Sequence, residues 1–166
     1  MEERGLDKAQ RTHAGIRSND DHSEQRESIR LYLWSATLLL IAISLLLPGI
    51  RSGDDSHHGW EILIFGPLGG IYGEFRWLAN VFLLWGLILV GTRSPQRRLA
   101  IAVLGIATAV AASCIVFPPR IVVGAGDYRT ISAPLAVGGY VWILANVSAL
   151  VLGLISGREA ADESQP

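Results

Sequence analysis

The sequence predicts an all-α fold: a bundle of four transmembrane helices, with a short interfacial or re-entrant segment between helices one and two. Three observations carry this. Apolar residues gather in four long runs instead of being dispersed at a regular period. The chain is 50% hydrophobic and only 17% charged, against about 25% charged for average soluble domains. Mean hydropathy is +0.36 although the first 28 residues are almost wholly polar.

Residues 1–28 mix charges of both signs with few apolar side chains. Such a segment buries too little surface to offset its ordering entropy and is expected to be a disordered cytoplasmic tail. It does not read as a secretory leader, because the polar lead is long and no small-residue cleavage site follows the first apolar run. The membrane domain is expected over residues 29–157. Its first span, residues 29–47, covers roughly 28 Å at ~1.5 Å per residue, close to the ~30 Å hydrocarbon core. Ser28 is a candidate N-cap, and Pro48 with Gly49 ends the run.

The second span is expected over residues 74–91, lengthened at its start by Glu74 in the interface. The third, residues 99–117, is stopped by Pro118 and Pro119. It is dominated by small residues, among them Ala100, Gly105, Ala107 and Ala111. Small side chains let helix backbones approach closely, which is the main source of packing energy in lipid. This helix is therefore expected to be the most buried. The fourth span covers residues 135–155, where Gly153 and Gly157 form a small-xxx-small pair, and residues 158–166 form a short cytoplasmic tail.

One apolar piece remains, residues 60–72. It is too short to span, and Gly66 with Pro67 and Gly69 with Gly70 are expected to break it. Trp60 and Tyr72 at its ends fit an aromatic belt. Orientation follows from the basic residues. Arg4, Lys8, Arg11, Arg17, Arg26, Arg30, Arg93, Arg97, Arg98 and Arg158 fall on one side, against Arg51, Arg76, Arg120 and Arg129 on the other. The positive-inside rule then places both termini in the cytoplasm, and the tight Arg93, Arg97, Arg98 cluster agrees.

The two halves echo each other. Each has a helix ended by proline, a polar loop with an acidic residue, and a helix carrying Trp and Asn one turn apart: Trp77 with Asn80, and Trp142 with Asn146. Two helices per half would make this a parallel repeat. Both asparagines lie inside apolar helices, so they suit two roles. One is a ligand site between the second and fourth helices, lined by Trp77, Asn80, Trp142 and Asn146. The other, which carries more weight, is structural: each amide bonds a neighbouring helix for about 0.6–2 kcal/mol and fixes its register.

Other chemistry is thinly supported. Asp54, Asp55, His57 and His58 offer imidazoles and carboxylates, but adjacent histidines diverge in most backbones and a metal site needs fixed geometry. The loop reads as solvated, and no metal or other cofactor is expected. Glu61 or Glu74 is expected to pair with Arg76 at the membrane edge. Cys114, the only cysteine, sits in an apolar run and reads as a small buried hydrophobe. No span has an ionisable residue at its centre, and no hydrolase, zinc-protease or nucleotide-binding motif occurs. No catalytic residue is assigned and an enzyme is not expected. The net charge of −1, with no basic patch interleaved with aromatics, argues against nucleic acid.

Gly59-Trp60-Glu61, a glycine-broken apolar stretch and then Phe75-Arg76-Trp77-Leu78-Ala79-Asn80 resemble a stretch of small uncharacterised bacterial four-helix integral membrane proteins. The similarity covers residues 59–92. It departs at Arg76, where a small residue is usual, and at Val81, where proline is common and would kink the helix. The resemblance implies the four-helix topology and a bacterial inner membrane, and no activity. The expected role is a structural or accessory component that meets the lipid bilayer and packs as a homo-oligomer or within a larger membrane complex. The alternative is a binder or carrier of a small amphipathic molecule, in a cleft near the outer leaflet.

Overall fold

Helices make up most of the described chain, which comprises residues 25, 27–52, 55–69, 74–92, 96–123 and 129–162 of a computed structural model. Residues 1–32 and 33–166 are separate units. Most of the predicted N-terminal tail lies outside the described residues, but its last positions are already helical. Helix α1 runs Glu27–Leu46. It is followed by β1 (Pro48–Ser52), β2 (Asp55–His58), α2 (Gly59–Gly69), α3 (Leu78–Gly91), α4 (Arg97–Val116), β3 (Arg120–Val123), β4 (Arg129–Ser132) and α5 (Val137–Asp162). Among the described residues, three helices are long and apolar enough to cross a membrane: α1, α4 and Val137–Ser156 of α5. Large apolar side chains remain exposed along them, including Leu38, Leu39, Ile106, Ile115, Leu144 and Val151. A continuous exposed apolar surface of this kind suits lipid and not water.

Contacts fix the helix directions. Arg97 reaches Ser156, Leu104 lies against Gly153, and Thr108 bonds Asn146, so α4 and α5 are antiparallel. Asn80 meets Trp142 and Val90 lies near Gly153, so α3 and α5 are parallel. Thr37 bonds Ser148 and Leu47 lies against Gly138, so this part of α1 is antiparallel to α5. The core joins Leu83 and Leu87 of α3, Leu104 and Ala107 of α4, and Ala149 and Leu152 of α5, with Leu33, Trp34 and Ile41 of α1 against it.

Several boundaries differ from those read in the sequence. Helix α3 begins at Leu78 and not at 74, because Glu74 accepts the Arg120 backbone N–H at 3.2 Å and holds the chain beside the start of β3. At 14 residues α3 measures only about 21 Å. Residues 158–162, expected to be tail, continue α5. Helix α2 passes through Gly66 and Pro67 instead of breaking there. Pro67 falls in its last turn, where the missing N–H removes a single helical bond. The most buried spanning helix is α5 and not α4, with 39% of its apolar window buried against 33%. Several small residues of α4 face outward: Ala102 and Ala109 are exposed, and a side chain at Gly105 would meet nothing within 4 Å.

Both polar loops are antiparallel hairpins, β1 with β2 and β3 with β4. Each half of the chain therefore reads helix, hairpin, helix, with α2 inserted in the first. The other edge of β1 is also paired. Arg51 N–H donates to Pro134 O at 3.0 Å, Ala136 N–H to Gly49 O at 2.9 Å, and Ile50 bridges Leu135. Helix α2 docks through residues 59, 62 and 66: Gly59 on the end of α1, Ile62 on Gly49, and Gly66 on Trp77. Its start is capped by Glu61, which accepts the His58 backbone N–H at 3.1 Å, half of a capping box.

A Cβ at Gly59 would collide with Ser44 O, and one at Gly138 would stand 2.7 Å from Pro48 O. Both obstacles are backbone and cannot swing aside. Gly59→Ala and Gly138→Ala should each destabilise the protein by about 1–3 kcal/mol or more. Gly105→Ala should be neutral or stabilising by up to ~1 kcal/mol through helix propensity. Unfolding of the purified variants in mixed detergent micelles measures all three.

Candidate functional site

Polar groups inside the helices gather on α5. Trp142, one turn into that helix, donates its indole Nε1–H to Asn80 Oδ1 at 2.7 Å. Asn146, one turn deeper and fully buried, donates from Nδ2 to the Trp142 carbonyl at 2.9 Å. The carbonyl of Asn146 accepts from Thr108 Oγ1 at 3.1 Å, a hydroxyl that also points at Leu104 O at 2.8 Å and so shares one proton between two acceptors. Ser148 Oγ lies 2.8 Å from Thr37 Oγ1. Because Thr37 spends its proton on Leu33 O at 2.8 Å, Ser148 is the donor.

The four residues named from the sequence are thus only partly brought together. Asn80 and Trp142 bond directly across α3 and α5, and Asn146 touches Trp142 through its own helix. Trp77 packs against Gly66 of α2 instead. The echo is not symmetric. Asn80 stands opposite Trp142, Trp77 lies three residues before Asn80, and Asn146 lies four after Trp142. In parallel helices this places Trp77 and Asn146 about seven residues, or ~10 Å, apart along the axis. The second Trp–Asn bond that a repeat would supply cannot form. Its two halves, Trp77 Nε1 and Asn146 Oδ1, are both buried and without partners among the described residues. Each such group costs about 1–3 kcal/mol.

Thr37, Thr108 and Ser148 were not singled out in the sequence. Their signal was a hydroxyl inside an apolar run, which in lipid bonds either its own preceding turn or a neighbouring helix. The hairpin end holds the charged groups. Arg76 Nε lies 3.5 Å from Glu74 Oε1, the pair expected at the membrane edge, whereas Glu61 faces His57 Nδ1 at 3.4 Å. His57 and His58 are successive residues of β2, whose side chains leave opposite faces of the strand. Asp54, Tyr72, Arg93 and Asp127 lie outside the described residues. Cys114 is buried, with its thiol 3.7 Å from Val110 O. No family model, curated protein or solved structure matches this chain.

The crossed geometry makes a sharp prediction for double-mutant cycles. Asn80→Leu and Trp142→Phe should couple by about 0.5–1.7 kcal/mol. Trp77→Phe and Asn146→Ala, which do not touch, should add within about 0.5 kcal/mol. Equilibrium unfolding of the two single and one double variant in each pair checks both.

Proposed function

We propose that this chain is a four-span integral protein of the bacterial plasma membrane with both termini in the cytoplasm. Its role is non-enzymatic: a small structural or accessory component that packs against another copy or a larger membrane complex. The observation that carries the role is where the internal polar groups are spent. Asn80, Thr37, Ser148 and Thr108 bond across helices, so they hold register instead of facing a substrate.

Helix α3 serves as the fourth span. Phe75, Arg76 and Trp77 prolong it by a tight turn, with Leu78, Ala79 and Asn80 N–H donating to their carbonyls. Thr92 N–H closes its other end on Ile88 O. The added turn brings the apolar length toward the ~30 Å core, and Arg76 and Glu74 sit where headgroups begin. Arg97, which donates to Ser156 O at 2.8 Å, and Arg98 at the opposite end support reading that end as the cytoplasmic one. Helix α2, with Trp60, Ile64 and Phe65 exposed, lies in the outer interface.

A carrier of a small amphipathic molecule is the second reading. It is favoured by the unpartnered Trp77 Nε1 and Asn146 Oδ1, a donor and an acceptor that a ligand would engage.

Crosslinking in intact membranes followed by mass spectrometry separates the two. The accessory reading expects defined links to a second copy or one membrane complex. Monomer alone, together with a ligand-dependent thermal stabilisation lost in the Asn80→Leu, Asn146→Leu variant, would replace it by the carrier. Topology is tested in a Cys114→Ala background. A cysteine placed by Asp55→Cys should label from outside intact cells, and one placed by Arg98→Cys only after permeabilisation. The reverse pattern sinks the orientation.

A further inference from the structure

The hairpin end of the bundle holds a cation whose hydrogen bonding is incomplete. The Arg76 guanidinium offers five N–H donors. Its Nε meets Glu74 Oε1 at a long 3.5 Å, and its Nη1 is screened from water yet bonds nothing. The other oxygen of Glu74 accepts the Arg120 backbone N–H at 3.2 Å. Trp77, the next residue, carries a second buried donor without an acceptor. Arg120 is exposed, with its backbone N–H on Glu74.

Two donors without an acceptor among the described residues, one of them on a cation, call for a ligand rich in acceptors and negatively charged. We propose that Arg76 binds a phosphate-class oxyanion, supplied by the headgroup of an anionic phospholipid. The proposal rests on the membrane reading above, in which this end of the bundle lies at headgroup depth. The Arg76 side chain keeps 28% exposure. Arginine suits the task because its planar fork matches phosphate oxygens two at a time. Apolar surface adjoins the charge: Phe75 is exposed, and α2 touches Trp77 through Gly66. Acyl chains hung from a phosphate at Arg76 would have this surface to lie on.

Native mass spectrometry of the full chain, purified in non-ionic detergent, tests the proposal with phosphatidylglycerol, phosphatidylcholine and inorganic phosphate as probes. Phosphatidylglycerol should bind roughly tenfold or more tighter than phosphatidylcholine, the worth of one charge-assisted hydrogen bond. Arg76→Gln should erase that preference, and Arg76→Lys should keep part of it. Stabilisation by inorganic phosphate alone that Arg76→Gln loses supports the site and names free phosphate as its occupant. Equal binding of the two lipids with no phosphate effect overturns it, as does a preference that survives Arg76→Gln. Should that variant fail to fold, the wild-type comparison of the two lipids still decides. Release of the chain from membranes by alkaline carbonate would sink the membrane reading separately, whatever the lipids show.

Discussion

Leu104 sits where two glycines leave room for it. The side chain is fully buried on α4, and it lies against Gly86 of α3 on one side and Gly153 of α5 on the other. A Cβ at Gly86 would stand 2.5 Å from it, and one at Gly153 3.0 Å. In lipid the tails are as apolar as leucine, so helices associate through close approach and polar bonds. One knob held by glycines from two helices fixes the axial register of all three. Its consequences run up and down the bundle: one turn later Thr108 meets Asn146, and two turns earlier Arg97 meets Ser156.

The hairpin end is locked by a different device. There backbone packs on backbone. Gly59 crowds the last turn of α1, while Gly138 and Gly139 crowd the carbonyls of residues 47–49. Strand β1 is hydrogen-bonded along both edges, to β2 and to the segment entering α5. Helix α1 thus meets α5 through the Thr37–Ser148 bond inside the bundle and through this glycine-lined crossing at its end. Close approach satisfies backbone groups that a loose loop would leave to water.

Much of the helical plan was legible because runs of apolar residues report their own length. Three of four predicted spans appear within about two residues at their starts, and proline marks where α1 and α4 stop. The hairpins were not foreseen. Ile121, Val122, Val123, Thr130 and Ile131 form β-branched stretches either side of a glycine-rich turn, which is a strand signal. Composition also could not say which small residues of α4 face inward. Ala100, Ala107 and Ala111 do, and Ala102 and Ala109 do not, because the knob at Leu104 selects the face. The Trp–Asn echo drew attention to Trp142 and Asn80, but not to the bond between them, and it hid the register that forbids its twin.

The short third helix follows from the same accounting of polar groups. Glu74 links to the Arg120 backbone and to Arg76, so the chain cannot continue the helix upstream without breaking both contacts. That anchor fixes the start of α3 at the level where α4 gives way to β3. It leaves α3 about 9 Å short of a ~30 Å core. Helix α2 occupies the adjacent space, bridging from the end of α1, at Gly59, to the start of α3, where Gly66 meets Trp77. A short apolar helix is the economical filler there. It satisfies its own backbone, presents Trp60 and Phe65 outward, and needs only glycine-sized contacts to dock. Arg76 then has a physical place: it is the cation that Glu74 holds at this junction.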